Sequence, residues 1–341
     1  MNKSKRILSG RNLAGSIVLA AAALVPLVLG HSQYNMILAT TVMLYAVLAT
    51  AWNIIGGIGG QFDLAAGAYV GLGAFVTGTL LTRWNITPWL GMLVAGAVAA
   101  LFAASVGFPL FGFKIRDLWY SLSSSALVEV LRVVFLMWAA VGGPTERYLG
   151  GSGSQLYRMR FGTYIPYYYL LLVMLVISLV LVNRIRQSKL GFSLLALGED
   201  EDAAEVLGVN VRASKLKALM IYAFIAGMVG GIYACIYGYI HPSFFATDLS
   251  MEVAILGIVG GLGITWGPAT AALIFVSMRE FLRARLGGEM AGLYLVVYAI
   301  VLILVALYQP LGLAPLAMRG IERLKSMMGV KQRGITSAHG K

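Results

Sequence analysis

The sequence from 183 to 217, NRIRQSKLGFSLLALGEDEDAAEVLGVNVRASKLK, is a polar segment in a chain that is otherwise mostly apolar. Apolar runs long enough to span a bilayer lie on both sides of it, at 164–182 and 216–240. A hydrophilic insert of this size must lie in water, and six Lys and Arg residues within 184–217 place it on the cytoplasmic side. The sequence therefore predicts a membrane protein that extends a structured segment into the cytoplasm.

The middle of this segment predicts a short helix that contacts another protein. Its acidic start suits the first turn of a helix, where negative charge offsets the helix dipole. Its two alanines give a small surface that can lie close to a partner, and its closing glycine lets the chain leave the helix in a left-handed conformation. The predicted contact residues are Glu199, Asp200, Glu201, Ala203, Ala204 and Gly208.

The composition fixes the class of protein. Hydrophobic residues make up 59% of the 341 residues, charged residues only 12%, and the mean hydropathy is +0.83. Apolar runs of helical length recur along the chain, which predicts an all-α, polytopic transmembrane bundle. The net charge of +12 is explained by cytoplasmic Lys and Arg, so no nucleic-acid partner is expected. The single cysteine, Cys235, excludes an internal disulfide and is expected to be a small buried residue.

About ten membrane segments are predicted. They are 13–30, 35–55, 61–82, 89–112, 118–140, 164–183, 216–240, 251–266, 269–286 and 291–308. In this layout 18 Lys and Arg fall on the cytoplasmic side and six outside, which favours cytoplasmic N- and C-termini. The first run could be a signal peptide, but its 18 residues favour a retained helix. The expected organisation is a cytoplasmic basic arm (1–12), a transmembrane domain (13–308) with a cytoplasmic loop (184–215), and a cytoplasmic basic tail (309–341).

Two glycine-rich stretches predict breaks in membrane helices. They are IIGGIGGQFDLAAGAYVG at 54–71 and ILGIVGGLGITWGPATAA at 255–272. Broken helices are tolerated where the freed backbone groups face protein or a water-filled cavity, and transporter binding sites are commonly built from them. The alternative is that the glycines only allow close helix packing. Two breaks in one chain favour a pathway, and its candidate residues are Gln61, Asp63, Gly67, Glu252, Gly260, Gly261, Gly263 and Pro268.

Ionisable side chains within the predicted spans are few, and each should face a partner or water. Glu129 and Arg132 are three residues apart and predict a local ion pair. Arg279 and the adjacent Glu280 lie near the end of a span, where snorkelling to the interface suffices. Asp63 and Glu252 adjoin the breaks; a structural cap is favoured over substrate contact for both.

No catalytic motif is present in the sequence. It contains no phosphate-binding loop of the form G-x-x-x-x-G-K-[ST], so the chain is not expected to hydrolyse nucleotides. Its three histidines, His31, His241 and His339, are scattered without metal-ligand spacing. The chain is therefore expected to be non-catalytic and to hold no metal.

Several motifs resemble those of permease subunits of branched-chain amino-acid ABC importers, specifically the M-type member of the paired permeases. The motifs run in order along about 50–315 and are Gly60-Gln61-x-x-Leu64 with Gly67-Ala68-Tyr69; Ser188-Lys189-Leu190-Gly191 through Glu199-Asp200-Glu201-x-Ala203-Ala204-x-x-x-Gly208; Pro242-Ser243-Phe244-Phe245; Gly260-Gly261-Leu262-Gly263 with Gly267-Pro268; and Pro310-x-Gly312-Leu313. The acidic motif combined with the second glycine motif is the specific signal.

This resemblance implies an ABC importer permease fold in the bacterial inner membrane. The implied partners are a second permease subunit, two ATPase subunits and an extracytoplasmic solute-binding protein. ATP and Mg²⁺ would be bound by the ATPases and not by this chain. The predicted helix within 199–208 would then be the coupling helix that docks on an ATPase.

The chain departs from the family pattern in two places. Asp63-Leu64-Ala65 stands where the family usually has Ser-Leu-Gly, and Leu195 stands where Arg is common. The first change is more similar to sugar-type ABC permeases, so branched-chain amino acids, amides, urea, aromatic acids and sugars all remain possible substrates. Two other classes of protein are alternatives. An ion-coupled secondary transporter could also have broken helices, but it needs no coupling helix. A membrane enzyme would need a cluster of carboxylates or histidines at one interface, and the sequence shows none.

Overall fold

Helices make up most of the computed structural model, which describes residues 22–27, 30, 32–150, 154–286 and 292–308. Residues 22–27 are helical, and the further helices are α1 (Gln33–Trp52), α2 (Ala66–Trp84), α3 (Pro88–Gly112), α4 (Asp117–Met137), α5 (Ile165–Arg186), α6 (Lys189–Glu199), α7 (Glu201–Val206), α8 (Val211–Tyr237), α9 (Thr247–Gly260), α10 (Gly267–Leu286) and α11 (Leu293–Tyr308). A π-helical turn, Asn53–Ile58, continues α1. Short 3₁₀ turns lie at Ala139–Val141 and Pro242–Phe244. Strand β1 (Arg147–Tyr148) pairs antiparallel with β2 (Tyr239–Ile240).

The prediction of an all-α polytopic bundle is confirmed, whereas the count of about ten segments is not. Among the described residues, six helical stretches are long and apolar enough to cross a membrane: Gln33–Ile58, Pro88–Gly112, Leu118–Met137, Ile165–Arg186, Val211–Tyr237 and Pro242–Gly260. Most of the predicted first span, the arm at 1–12 and the tail at 309–341 lie outside the described residues.

Two predicted spans have different bounds in the structure. In the span predicted at 61–82 the helix begins only at Ala66. Residues 59–65, which follow the π-helical turn, are not helical. The span at 251–266 ends at Gly260, where Gly261 follows with a φ of 108°. Both differences fall at the predicted glycine-rich breaks, so the breaks themselves are confirmed.

Small residues set the close packing of α2, α3 and α8. A Cβ added to Gly73 in α2 would lie 2.1 Å from the carbonyl oxygen of Gly227 in α8. A Cβ on Gly230 would lie 2.1 Å from the carbonyl oxygen of Val70, and one on Gly227 would lie 2.6 Å from the Cβ of Ala99 in α3. Glycine and alanine therefore bring these backbones together, as is common where lipid offers no hydrophobic driving force for association.

The two ends of the bundle differ in their loops. The α3–α4 turn, the short helix α7 and the start of α8 meet at one end, which is here named the basic end after Lys114, Arg116 and Lys215. Strands β1 and β2 pair at the opposite end, since β2 follows the far end of α8. The basic end contains the predicted coupling segment, and the first glycine-rich break adjoins it.

Candidate functional site

Helix α7 has the cap and the exit that its sequence predicts. The Asp200 side chain accepts a hydrogen bond from the backbone N–H of Ala203 at 2.9 Å, which satisfies one free donor of the first turn. Gly208 follows the helix with a φ of +88°, a conformation that favours glycine. The predicted acidic-capped helix is confirmed with a boundary shift: Glu199 ends α6, and α7 itself is Glu201–Val206.

The acidic side of α7 is paired with the chain's own cations. Glu201 contacts Arg116 at 3.2 Å, and Asp202 accepts from the same guanidinium at 2.9 Å. Glu205 accepts from Lys114 Nζ at 2.7 Å. The Arg116 guanidinium lowers the pKa of the Asp202 carboxyl below its usual range. These pairs connect α7 to the α3–α4 turn.

The outward surface of α7 is different from the predicted one. Ala204 is only 3% exposed and packs within its own chain, so the expectation that it faces a partner is wrong for this residue. Val206 and Leu207 are instead 88% and 84% exposed. Two large apolar side chains at the tip of a polar segment are typical of a contact surface. The signal that the sequence analysis missed is the Val-Leu pair directly before Gly208.

A buried lysine connects α7 with the first glycine-rich break. Lys215, in the first turns of α8, is 3% exposed. Its Nζ donates to Gln61 Oε1 at 2.7 Å and pairs with the Glu201 carboxylate. Gly60, with a φ of +66°, brings the break against Gly198 of α6. The sequence predicts roles for Gln61 and Glu201 separately; only the fold places one lysine between them.

Asp63 stabilises the first break from inside the chain. Its Oδ1 accepts from the Ala65 N–H at 2.9 Å, and its Oδ2 accepts from the Tyr120 hydroxyl at 2.8 Å. Its backbone oxygen accepts from Trp52 Nε1 at 2.7 Å, and the residue is fully buried. The contacts agree with the structural cap that the sequence analysis favoured.

The second break lies directly against the first. Asn53 Oδ1 accepts from the Gly263 N–H at 3.0 Å, and Asn53 Nδ2 donates to the Ile264 carbonyl at 3.0 Å. Gly260 and Gly267 approach so closely that a Cβ on Gly260 would lie 2.4 Å from the Gly267 carbonyl carbon. Asn53 was not among the candidates, although an amide in an apolar run three residues before a glycine pair is a signal for such a role.

The remaining glycine candidates are also packing positions. Gly67, in α2, donates its N–H to the Ser250 hydroxyl at 2.8 Å, and a Cβ there would lie 2.2 Å from the Ala246 carbonyl oxygen. Gly261 and Gly263 have φ values of 108° and 70°, which the turn between α9 and α10 requires. Pro268 is buried at the start of α10. These residues shape the break without lining the large cavity described next.

Glu252 is the pathway candidate that lines this cavity of about 720 Å³. The cavity lies between α1, α8, α9, α10 and α11, with Tyr164 at one side, and six of its lining residues are tyrosines. Glu252 pairs there with Arg279, whose guanidinium also donates to Glu280 at 2.8 Å. The expectation that Arg279 and Glu280 snorkel to the interface is wrong, since their side chains are 15% and 17% exposed and face each other inside the bundle.

The other two sequence predictions about side chains agree with the structure. Glu129 and Arg132 form the expected local ion pair on α4. Cys235 is a buried free thiol. Within the part of the chain that the structure describes, no three His, Cys, Asp or Glu side chains are grouped as metal ligands.

Comparison with known proteins gives one family and several relatives. Residues 34–306 match the family described as branched-chain amino acid transport system / permease component. The high-affinity branched-chain amino acid transport system permease protein LivM of Escherichia coli is 27% identical over 309 residues, which cover 82% of this chain and 69% of the relative. The permease protein LivH of the same kind of system in Salmonella typhimurium is 24% identical, covering 79% of this chain and 90% of the relative.

A relative with a different printed role is also similar. The autoinducer 2 import system permease protein LsrC of an Enterobacter species is 25% identical over 271 residues, covering 78% of this chain and 76% of the relative. No solved structure matches the chain.

Proposed function

The chain belongs to the branched-chain amino acid transport permease family, and from this premise we propose that it forms the translocation pathway of an ABC importer for branched-chain amino acids or related small polar solutes. The observation that carries the proposal is the family match across residues 34–306, with LivM as a relative over 82% of the chain. The chain is a multi-pass membrane protein and a transport permease component.

The basic end supports a coupling role for α7. The helix is fixed to the chain by ion pairs on its acidic side, while Val206 and Leu207 at its tip are exposed. A partner that binds this tip can move α7 as a rigid unit and, through Lys215, act on the first break. The shape and orientation of this contact are set by Glu199, Asp200, Glu201, Ala203 and Gly208. Ala204 packs against the rest of the chain on the buried side of α7.

The proposed complex contains four kinds of chain. A second permease subunit completes the pathway, two ATPase subunits bind ATP and Mg²⁺ and dock at the basic end, and an extracytoplasmic binding protein delivers the solute. The chain lies in the inner membrane with both termini in the cytoplasm, which agrees with the accumulation of Lys and Arg around α7.

Reconstitution of the whole importer tests this function. The chain is co-expressed with the second permease, the two ATPases and the binding protein of the proposed complex, and the purified complex is placed in proteoliposomes. ATP-dependent uptake of radiolabelled L-leucine is the expected result, with liposomes that lack this chain as the control. Uptake of a sugar and of no amino acid would contradict the proposal.

A sugar-type importer is the second candidate. The similarity to LsrC and the Asp63-Leu64-Ala65 element support it. The same proteoliposomes distinguish the two functions. A sugar-type importer would take up ribose or a related furanose, and excess unlabelled leucine would not inhibit this uptake.

A further inference from the structure

We propose that the cavity between α1, α8, α9, α10 and α11 binds a free α-amino acid with an aliphatic side chain, and that Glu252 receives its ammonium group. This inference rests on the proposed function and adds to it the binding cavity and the residue that contacts the substrate. It departs from a purely structural interpretation, in which Glu252 and Arg279 only join α9 to α10.

The charge of the cavity favours an ammonium group. Two carboxylates share one guanidinium: Arg279 donates to Glu252 through Nη1 and to Glu280 through Nε and Nη2. The three side chains are between 12% and 17% exposed, so water screens them poorly. Counted together with Asp248 and Arg283, the cavity lining has three carboxylates and two guanidiniums, an excess of one negative charge. An incoming ammonium group at Glu252 neutralises that excess.

Two further charged residues complete the pattern for a zwitterion. Asp248 lies four residues before Glu252, on the same face of α9, and it is exposed. Arg283 lies one turn beyond Arg279 on α10, is 65% exposed and stands 3.8 Å from Glu280. Apart from this long contact its guanidinium is exposed, so it can take a carboxylate, while Asp248 and Glu252 offer carboxylates to an ammonium.

The walls of the cavity suit an aliphatic side chain. Leu44, Ile236, Met251 and Ile255 contribute apolar surface, and the tyrosines contribute rings with a polar edge. A volume of about 720 Å³ lies within the usual range for small-ligand sites and accommodates leucine with water. A neutral sugar would leave the excess carboxylate without a partner, so the charge pattern favours the amino acid.

Protection of a cysteine in the cavity tests the proposal. Thr41, which lines the cavity, is replaced in Thr41→Cys on a Cys235→Ser background, within the complete complex in phosphatidylcholine nanodiscs. L-leucine is expected to slow modification by a small polar thiol reagent at least tenfold. 4-Methylpentanoate, which lacks the ammonium, and isoamylamine, which lacks the carboxylate, are expected to protect poorly.

Variants then assign the ammonium contact. In Glu252→Gln the leucine concentration for half-protection should rise about tenfold, because a charge-assisted hydrogen bond is lost. Arg279 keeps Glu280 as a partner, so this variant should fold. Asp248→Asn, at an exposed position, is a second variant with a smaller rise in the same direction. Glu129→Gln, in the ion pair on α4 outside the cavity, is the matched control and should leave protection unchanged.

Three outcomes would overturn the inference. If the complex takes up leucine but leucine does not protect Thr41→Cys, the cavity assignment fails and the proposed function stands. If the complex takes up no amino acid, the proposed function fails and this inference fails with it. If phosphatidylethanolamine in the nanodisc protects Thr41→Cys without leucine, the ammonium that fills the cavity belongs to a lipid headgroup.

Discussion

Lys215 is the single residue whose contacts join two regions that are remote in the sequence. Its ammonium is buried between Gln61 and Glu201, and burial of a lysine is costly unless its charge is paired. The pairing therefore holds the first break to α7 at a defined distance. Neither partner can move away from the other without breaking a buried charged contact.

Replacing this lysine should separate docking from transport. In Lys215→Met, Glu201 retains Arg116, but Gln61 loses its donor, and the expected result is at least tenfold slower leucine uptake with normal co-purification of the ATPases. Lys217→Met, two residues further on and exposed, is the control. Normal uptake by Lys215→Met would show that the buried contact only stabilises the fold.

The Tyr120 hydroxyl should contribute to stability through Asp63. Tyr120→Phe removes a 2.8 Å hydrogen bond to a buried carboxyl, and such bonds to charged groups contribute about 1.5–3 kcal/mol. The expected result is a lower Tm of the detergent-purified complex, measured as the loss of its size-exclusion chromatography peak after heating. Tyr34→Phe, at an exposed ring, should leave the Tm unchanged; an equal decrease in both variants would contradict the assignment.

At the scale of elements, the two broken helices act as one unit because Asn53 joins them. Asn53→Ala leaves the Gly263 N–H and the partly buried Ile264 carbonyl without their side-chain partner, at a cost of about 1–3 kcal/mol for the buried N–H. Lower thermal stability and reduced uptake are expected together. Ser123→Ala, which removes an exposed bond within α4, is the matched control.

The tip of α7 should be the docking contact for the ATPase. Val206→Ser combined with Leu207→Ser removes exposed apolar surface without touching the ion pairs of the helix. The complex is expected to lose most co-purifying ATPase, while the chain still reaches the membrane. Leu156→Ser, an exposed apolar residue in a loop near the opposite end, should have no effect on ATPase recovery. Unchanged recovery in the double variant would exclude α7 as the contact.

The glycine-rich breaks and the end of α7 could be predicted from the sequence, because local chemistry determines them. Gly60, Gly261 and Gly208 adopt left-handed conformations that other residues rarely take, so breaks and helix ends follow from glycine itself. The contacts of Lys215 could not be predicted in this way, because they depend on chain segments far apart in sequence. Ala204 was placed on the wrong face because a six-residue helix has too little periodicity to distinguish its two sides.

For the whole molecule, charge distribution predicts the orientation in the membrane. Reporter fusions after Lys217 and at Lys341 should give cytoplasmic activity, and a fusion at Gly150, near the β1–β2 end, should give external activity. The reason is that Lys and Arg are retained on the cytoplasmic side during insertion. An external reading after Lys217 would contradict both the topology and the docking of ATPases at the basic end.

The path from Glu201 through Lys215 to Gln61 also has a thermodynamic consequence. If binding of an ATPase to α7 changes the equilibrium between two arrangements of the first break, the break must change the affinity for the ATPase by the same factor. Such coupling free energies are typically about 1–3 kcal/mol, which corresponds to a change of about 5- to 150-fold in affinity. The measured affinity for the ATPase, which binds outside the membrane, therefore indicates which arrangement the first break has adopted inside it.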